Sequence, residues 1–232
     1  MILDERISAY LRALDPGSGP LLEEIERKAR EDHVPVIRRE EQAFLRTMVA
    51  MKQPERILEI GTAIGFSALV MASAMPEGGH ITTIEKFEKR IPEARENFRR
   101  AGEEKRITLL PGDAGEILAG LSGPYDLIFL DAAKGQYIRW LPDILRLLPA
   151  GGVLLTDNVL QGGETALSRY AVERRDRTIH TRIREYLWEI THSASLTTAV
   201  VPAGDGIAVS VRTAAPAGGG IAAREKKENQ EI

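Results

Sequence analysis

From residue 56 onward the sequence alternates between short β-rich runs and helical segments, and this alternation limits the possible folds more than any other feature. The runs are Arg56–Ile60, His80–Glu85, Arg106–Leu110, Tyr125–Asp131 and Gly152–Thr156. Between them lie Phe66–Met75, Arg90–Arg100, Ala114–Leu121 and Tyr137–Leu148, which carry apolar residues near helical spacing. The β-rich runs are almost continuously apolar, so their sheet must be covered on both faces and its strands should be mainly parallel. A βαβα succession of this kind predicts an α/β fold with an open, doubly wound sheet. Pro92 fits only in the first turn of its helix, where a missing N–H costs nothing.

The flanks have a different texture. Asp4–Leu14, Leu21–Arg30 and Glu40–Met51 are expected to be helices, the first ending at Asp15-Pro16-Gly17. Thr165–Ile190 is expected to form one arginine-rich helix. Leu196–Val201 and Ile207–Val211, joined by the turn-rich Pro202–Gly206, predict an antiparallel hairpin closing one sheet edge. A length of 232 residues suits a single domain over 1–213, with helices in 1–53 and the sheet in 54–213. Residues 214–232 hold Gly218-Gly219-Gly220 and mixed charges without periodicity, and are expected to be disordered. The absence of cysteine excludes disulfides, thiolate metal sites and cysteine nucleophiles. No membrane span or signal peptide is visible, so a cytoplasmic location is expected. A net charge of -3 does not advertise nucleic-acid binding by the whole chain.

Glu59-Ile60-Gly61-Thr62-Ala63-Ile64-Gly65 falls where the first strand meets its helix. Glycine there lets backbone approach a ligand closely. A dinucleotide loop would follow G-x-G-x-x-G, but here Ala63 takes the middle glycine position and no third glycine follows. Alone, the loop is weak evidence, since a plain strand-to-helix turn also fits it. Glu59, Glu85 and Asp113 then fall at the ends of the first three strands, where open α/β sheets bind ligands. Carboxylates suit a ligand that donates hydrogen bonds from an ammonium, a ribose diol and an adenine amine. They would repel a pyrophosphate but tolerate the sulfonium of S-adenosylmethionine. Each acid taken singly is also compatible with a solvated strand end.

Asp131-Ala132-Ala133-Lys134 follows the fourth strand and Asp157-Asn158 the fifth. If those strands are neighbours, two carboxylates and an amide oxygen converge. Such hard oxygen ligands suit magnesium better than zinc. His33, His80, His180 and His192 have no ligand spacing. Asp157-Asn158 by itself would suit a helix cap or turn. Lys134 is placed to reach the same pocket, where neighbouring positive charge would disfavour its protonated form and let it accept a proton. The alternative is a solvated surface lysine.

Together, Leu58–Ala68, Asp131–Tyr137, Thr156–Leu160 and Pro202–Ala208 resemble the metal-dependent O-methyltransferases related to catechol and caffeoyl-CoA methyltransferases. The match is most similar to bacterial tRNA 5-hydroxyuridine methyltransferases and spans about residues 30–212. The resemblance implies a Rossmann-like class I methyltransferase sheet of seven strands and a homodimer with the N-terminal helices in contact. It also implies Asp131, Asp157 and Asn158 as magnesium ligands, and Glu59, Gly61, Ser67, Glu85, Asp113, Ala114 and Asp131 around S-adenosylmethionine, with Ile37 closing over it. Lys134 takes the place of the catechol enzymes' catalytic lysine. Gln161-Gly162-Gly163 departs from the bulky residue and lysine expected after Asn-Val-Leu, which leaves substrate contacts near the metal open.

Arg169, Arg174, Arg175, Arg177, Arg182 and Arg184 cluster in one segment, and Arg38-Arg39 precede the core. Arg38, Arg174, Arg175 and Arg177 are candidate phosphate contacts for a tRNA anticodon loop, whose unpaired base is cheap to extrude. Interspersed Glu173, Asp176 and Glu185 also fit a salt-bridged helix face. A small catechol-like substrate is the other reading. From a different class, a nicotinamide-dependent oxidoreductase or a non-catalytic nucleotide-binding module also fits a sheet of this kind, but is disfavoured by Ala63 and by the Asp131, Asp157 and Asn158 set.

Overall fold

A computed structural model describes residues 4–214. The disorder expected of 214–232 therefore concerns a stretch that, beyond Ala214, lies outside the described residues. Three helices lead: α1 (Glu5–Leu14), α2 (Pro20–Glu31) and α3 (Arg39–Lys52). Asp4 caps α1 by accepting the Arg6 N–H, Pro20 starts α2 where no N–H is needed, and Gln53 ends α3 in the left-handed region.

Five strands follow: β1 (Arg56–Ile60), β2 (His80–Glu85), β3 (Ile107–Pro111), β4 (Leu127–Leu130) and β5 (Val153–Thr156). They are separated by α4 (Phe66–Ala72), α5 (Ile91–Ala101), α6 (Ala114–Gly120) and α7 (Tyr137–Leu147). Pro92 lies in the first turn of α5, as its missing N–H requires. Then come α8 (Arg177–His192), β6 (Leu196–Val201) and β7 (Ile207–Arg212).

The seven strands form one sheet in the order β3-β2-β1-β4-β5-β7-β6. β1 to β5 pair in parallel, while β7 runs antiparallel to both β5 and β6. The expected doubly wound sheet with a terminal hairpin is therefore present.

Side chains alternate between two cores, as strand geometry demands. Ile57, Phe129 and Leu155 face a cluster with α2, α3 and α4, whereas Leu58, Ile128 and Leu154 face α6, α7 and α8. The chain builds outward from β1 through β2 to β3, then returns to β4 on the other side of β1. That reversal opens a crevice above the C-terminal ends of β1 and β4.

One expected element is corrected. The helix anticipated from Thr165 begins only at Arg177; Gln161–Ala166 is a pair of tight turns broken at Gly162-Gly163 and 167–176 is irregular. Side chains of α8 take three of the carbonyls between Thr165 and Asp176: Arg184 donates to the Thr165 oxygen, His180 bonds Leu167, and Arg177 donates to Val172. Gly162 and Gly163, both at positive φ, turn the chain before it.

Candidate active site

A cavity of about 1020 Å³ occupies the crevice. Its floor is the turn after β1. Gly61 has a φ of 105°, and a Cβ there would overlap the backbone oxygen of Asp131. Its N–H and that of Thr62 bond to the Ile84 carbonyl at 3.0 and 3.2 Å, so β1 and β2 are held together beyond their last pair. Ala63 is left-handed at φ 46°, a strained angle for a residue with a Cβ. Its N–H donates to Glu85 Oε2 at 2.7 Å.

At one end of the cavity, beyond β2 and β3, stand Glu85, Asp113 and Ala114; Ser67 and Ile37 also line it. Glu85 also accepts the Phe87 N–H at 2.7 Å, and these two backbone bonds orient its carboxylate. Asp113 accepts from Lys86 Nζ at 2.7 Å and from the Gly115 N–H at 2.9 Å. Those bonds hold its carboxyl below the ordinary range, the lysine first. Glu59 does not line the cavity. It is fully buried behind the wall, accepting from Ser67 Oγ at 2.6 Å and Thr83 Oγ1 at 2.5 Å. With its hydroxyl proton committed to Glu59, Ser67 presents lone pairs to a ligand that donates.

Burial pushes the Glu59 carboxyl up to about 7, against an ordinary value of 4.5. The folded state thus holds the proton more tightly than the unfolded one. Stability from this group is complete below about 4.5 and is lost as pH rises through about 7, on the order of 3 kcal/mol in all. Glu59→Gln should flatten that part of a stability-against-pH curve in urea melts between pH 4.5 and 8; an unchanged slope would remove the assignment.

At the other end, β4 and β5 are neighbours with Leu130 opposite Thr156. The next residues, Asp131 and Asp157, consequently emerge side by side. Asp157 is 2% exposed. Its carboxyl is driven well above the ordinary range by burial, then by Asp131 and Glu41. Burial raises Asp131 too, against the opposing pull of Lys134 and the Asn158 hydrogen bond. Asn158, left-handed at φ 61°, donates its amide to Asp131 Oδ1 at 3.2 Å. Tyr137, fully buried, shapes the Asp131–Lys134 turn by accepting the Ala132 N–H and donating to the Ala132 carbonyl. Tyr137 closes the Asp131–Tyr137 motif in the sequence, but its spacing gives no sign of this backbone-holding role.

The donor set fits a hard dication. Four carboxylates (Glu41, Asp131, Asp157 and Asp205) and two cations (Arg38 and Lys134) line this end, so the acids outnumber the bases by two. Among the described residues no three of His, Asp and Glu come close enough to share one ion. An ion here would therefore draw on the Asn158 amide oxygen, water and substrate as well as on Asp131 and Asp157.

The arginines behave differently from one another. Arg38 reaches the cavity, but its Nη2 is bonded to both carboxylate oxygens of Asp205, at 3.1 and 3.0 Å. Arg174, Arg175 and Arg177 do not line the cavity. Arg174 is exposed, Arg175 pairs with Glu173 and Asp176, and the Arg177 guanidinium lies 5.9 Å from the Tyr170 ring centre. The first turns of α8 pack on the Lys134–Gln136 turn, where Arg182 donates to the Gly135 carbonyl.

Residues 14–213 match the O-methyltransferase family. The chain belongs to that family. A catechol O-methyltransferase of Niastella koreensis is 36% identical over 125 residues, 52% of this chain and 57% of that protein. The chain thus spans little more than half the length of that relative. A caffeoyl-CoA O-methyltransferase of Stellaria longipes is 29% identical over 173 residues, 71% of this chain and 70% of the relative. Among solved structures, an S-adenosylhomocysteine-bound methyltransferase of Podospora anserina superposes with a TM-score of 0.81 at 27% identity, covering 90% of this chain and 95% of its own. O-methyltransferases of the catechol and caffeoyl-CoA type are thus its relatives, and the oxidoreductase alternative falls. Among the described residues no helix is long and apolar enough to cross a membrane.

Proposed function

We propose that this chain transfers the methyl group of S-adenosylmethionine to a hydroxyl that has a second oxygen beside it, using magnesium or a similar dication. The observation that carries the proposal is the pair of register-adjacent carboxylates, Asp131 and Asp157, in a cavity end where acids outnumber bases by two. In this reading Asp131, Asp157 and Asn158 hold the cation. When bound, it would hold both acceptor oxygens and acidify the hydroxyl. S-adenosylmethionine would supply an electrophilic methyl, leaving as S-adenosylhomocysteine.

The chain's own residues do the rest. Glu85 accepts from a ribose diol, Asp113 and Ala114 flank an adenine, and Gly61, Ser67 and Asp131 meet the ammonium end. Ile37 excludes water from above. Lys134 takes the hydroxyl proton at its Nζ. Lys134→Met should therefore lower kcat by about 10²- to 10³-fold with little change in S-adenosylhomocysteine affinity by calorimetry. A variant retaining more than a third of wild-type kcat would remove the lysine from the mechanism.

For the substrate, we favour the 5-hydroxyl of wobble 5-hydroxyuridine in tRNA, giving 5-methoxyuridine. Support comes from Tyr170, 85% exposed beside the Arg177 guanidinium, with Arg174 exposed in the same irregular segment. An aromatic ring and cations at a rim suit an unstacked nucleotide and its phosphates. The pairing of Arg38 with Asp205 takes that arginine out of the phosphate-binding role. The second reading, a small catechol, is favoured by the catechol-methylating relative. Nucleoside mass spectrometry of tRNA from a deletion strain separates them: loss of 5-methoxyuridine-type nucleosides is expected. Unchanged nucleosides, together with salt-independent turnover of a catechol by the pure protein, would establish the second reading. A cytoplasmic homodimer completes the proposal. Ile7, Tyr10, Leu11 and Leu14 are exposed along α1, offering an apolar contact. A light-scattering mass of one chain would refute the dimer.

A further inference from the structure

We propose that Glu41, Arg38 and Asp205 are positioning residues that tie the cavity-lining connection between α2 and α3 to the loop carrying Asp157 and Asn158, so that the cation and the cofactor bind cooperatively. The proposal rests on the reading of Asp131, Asp157 and Asn158 as cation ligands.

The connection between α2 and α3 lines the cavity through Pro35, Val36 and Ile37. Glu41 anchors it. One carboxylate oxygen accepts the Arg38 N–H at 2.6 Å, and the other accepts the Asp205 N–H at 3.1 Å. Arg38 then closes the ring by donating from Nη2 to both Asp205 carboxylate oxygens. Beyond Asp205 the path continues through backbone. Its carbonyl accepts the N–H groups of Leu160 and Gln161, and the Gly206 carbonyl accepts that of Val159. Val159 follows Asn158 directly. Hydrogen bonds therefore run unbroken from Arg38 to the residue next to a proposed cation ligand.

The fit is close. Gly204 sits at φ 55°, and a Cβ there would overlap the Glu41 carboxylate. Glu41 itself is 5% exposed, so its two backbone partners are its main compensation for lost water. A ligand that orders either end of this run lowers the cost of ordering the other, which is coupling without any large movement.

Calorimetry on the full chain tests this, with magnesium chloride and S-adenosylhomocysteine as probes. Wild-type protein should bind S-adenosylhomocysteine about tenfold more tightly in saturating magnesium than in EDTA. Asp205→Asn and Arg38→Met should bring the two affinities within about twofold, while Arg38→Lys, which keeps the ion pair, should retain most of the difference. A purely structural loss would weaken both affinities together and leave their ratio intact. Thermal melts of each variant identify any that fail to fold, and Arg38→Met, on the more exposed partner, stands in if Asp205→Asn is one. Variants that fold and keep the wild-type ratio overturn the tie while sparing the cation reading. Absence of any magnesium binding to wild type overturns both.

Discussion

Asp157→Asn is expected to abolish turnover and, in the same protein, to make the metal-free form harder to unfold. The two effects have one origin. Asp157 is buried beside Asp131 and near Glu41, and its carboxyl is raised well above the ordinary 3.8. In the unfolded chain that group ionises freely in water. Its contribution to stability is complete below about pH 3.8 and is lost as pH rises through the higher folded value, so at pH 8 the native state carries a penalty. Asparagine keeps the shape and can still accept the Asn158 N–H that Asp157 Oδ1 now takes at 2.6 Å. In EDTA at pH 8 the variant should melt several degrees above wild type, about 2–4 °C per kcal/mol for a chain of this size. Saturating magnesium should reverse the order, because only the wild type gains the binding energy. Turnover should fall by about 10³-fold or more. A variant that melts lower in EDTA, or keeps a tenth of the activity, contradicts the cation site.

Gly61→Ala should have the next largest effect. The residue stands at φ 105°, where an L side chain is strained, and its Cβ would overlap the Asp131 carbonyl across the floor of the cavity. Either β1 or β4 must shift, and both carry the site. We expect a loss of about 3 kcal/mol or more in urea melts and at least about a hundredfold weaker S-adenosylhomocysteine binding. Gly162→Ala is the control. It too has positive φ, at 64°, but nothing lies within 4 Å of its Cβ position, so it should cost about 1 kcal/mol and spare the affinity. Equal effects from the two would mean that backbone strain alone, and not the approach to Asp131, explains Gly61.

The sheet was legible because its signals are local. Apolar runs of strand length, helical spacing between them and turn residues after β6 each depend on near neighbours in sequence. The acids at the strand ends were legible for the same reason: Glu85, Asp113, Asp131 and Asp157 all follow recognisable strands. The start of α8 was not legible. Thr165 to Asp176 carries helical spacing, yet three of its carbonyls are taken by His180, Arg177 and Arg184, side chains that return only after the chain has turned.

Partnerships across long sequence separation were equally hidden. Arg38, which resembles a free phosphate contact in sequence, is held by Asp205, 167 residues away. Glu59 falls near the end of β1 much as Glu85 ends β2, but the strand's alternation turns it behind the wall toward Ser67 and Thr83. Sequence by itself determined the order of elements, the parallel sheet and the family, since these follow from periodicity and short motifs. Tertiary structure decided which charges are spent on one another and which remain for a ligand, because an ion pair depends on distance in space, and spacing along the chain does not report it.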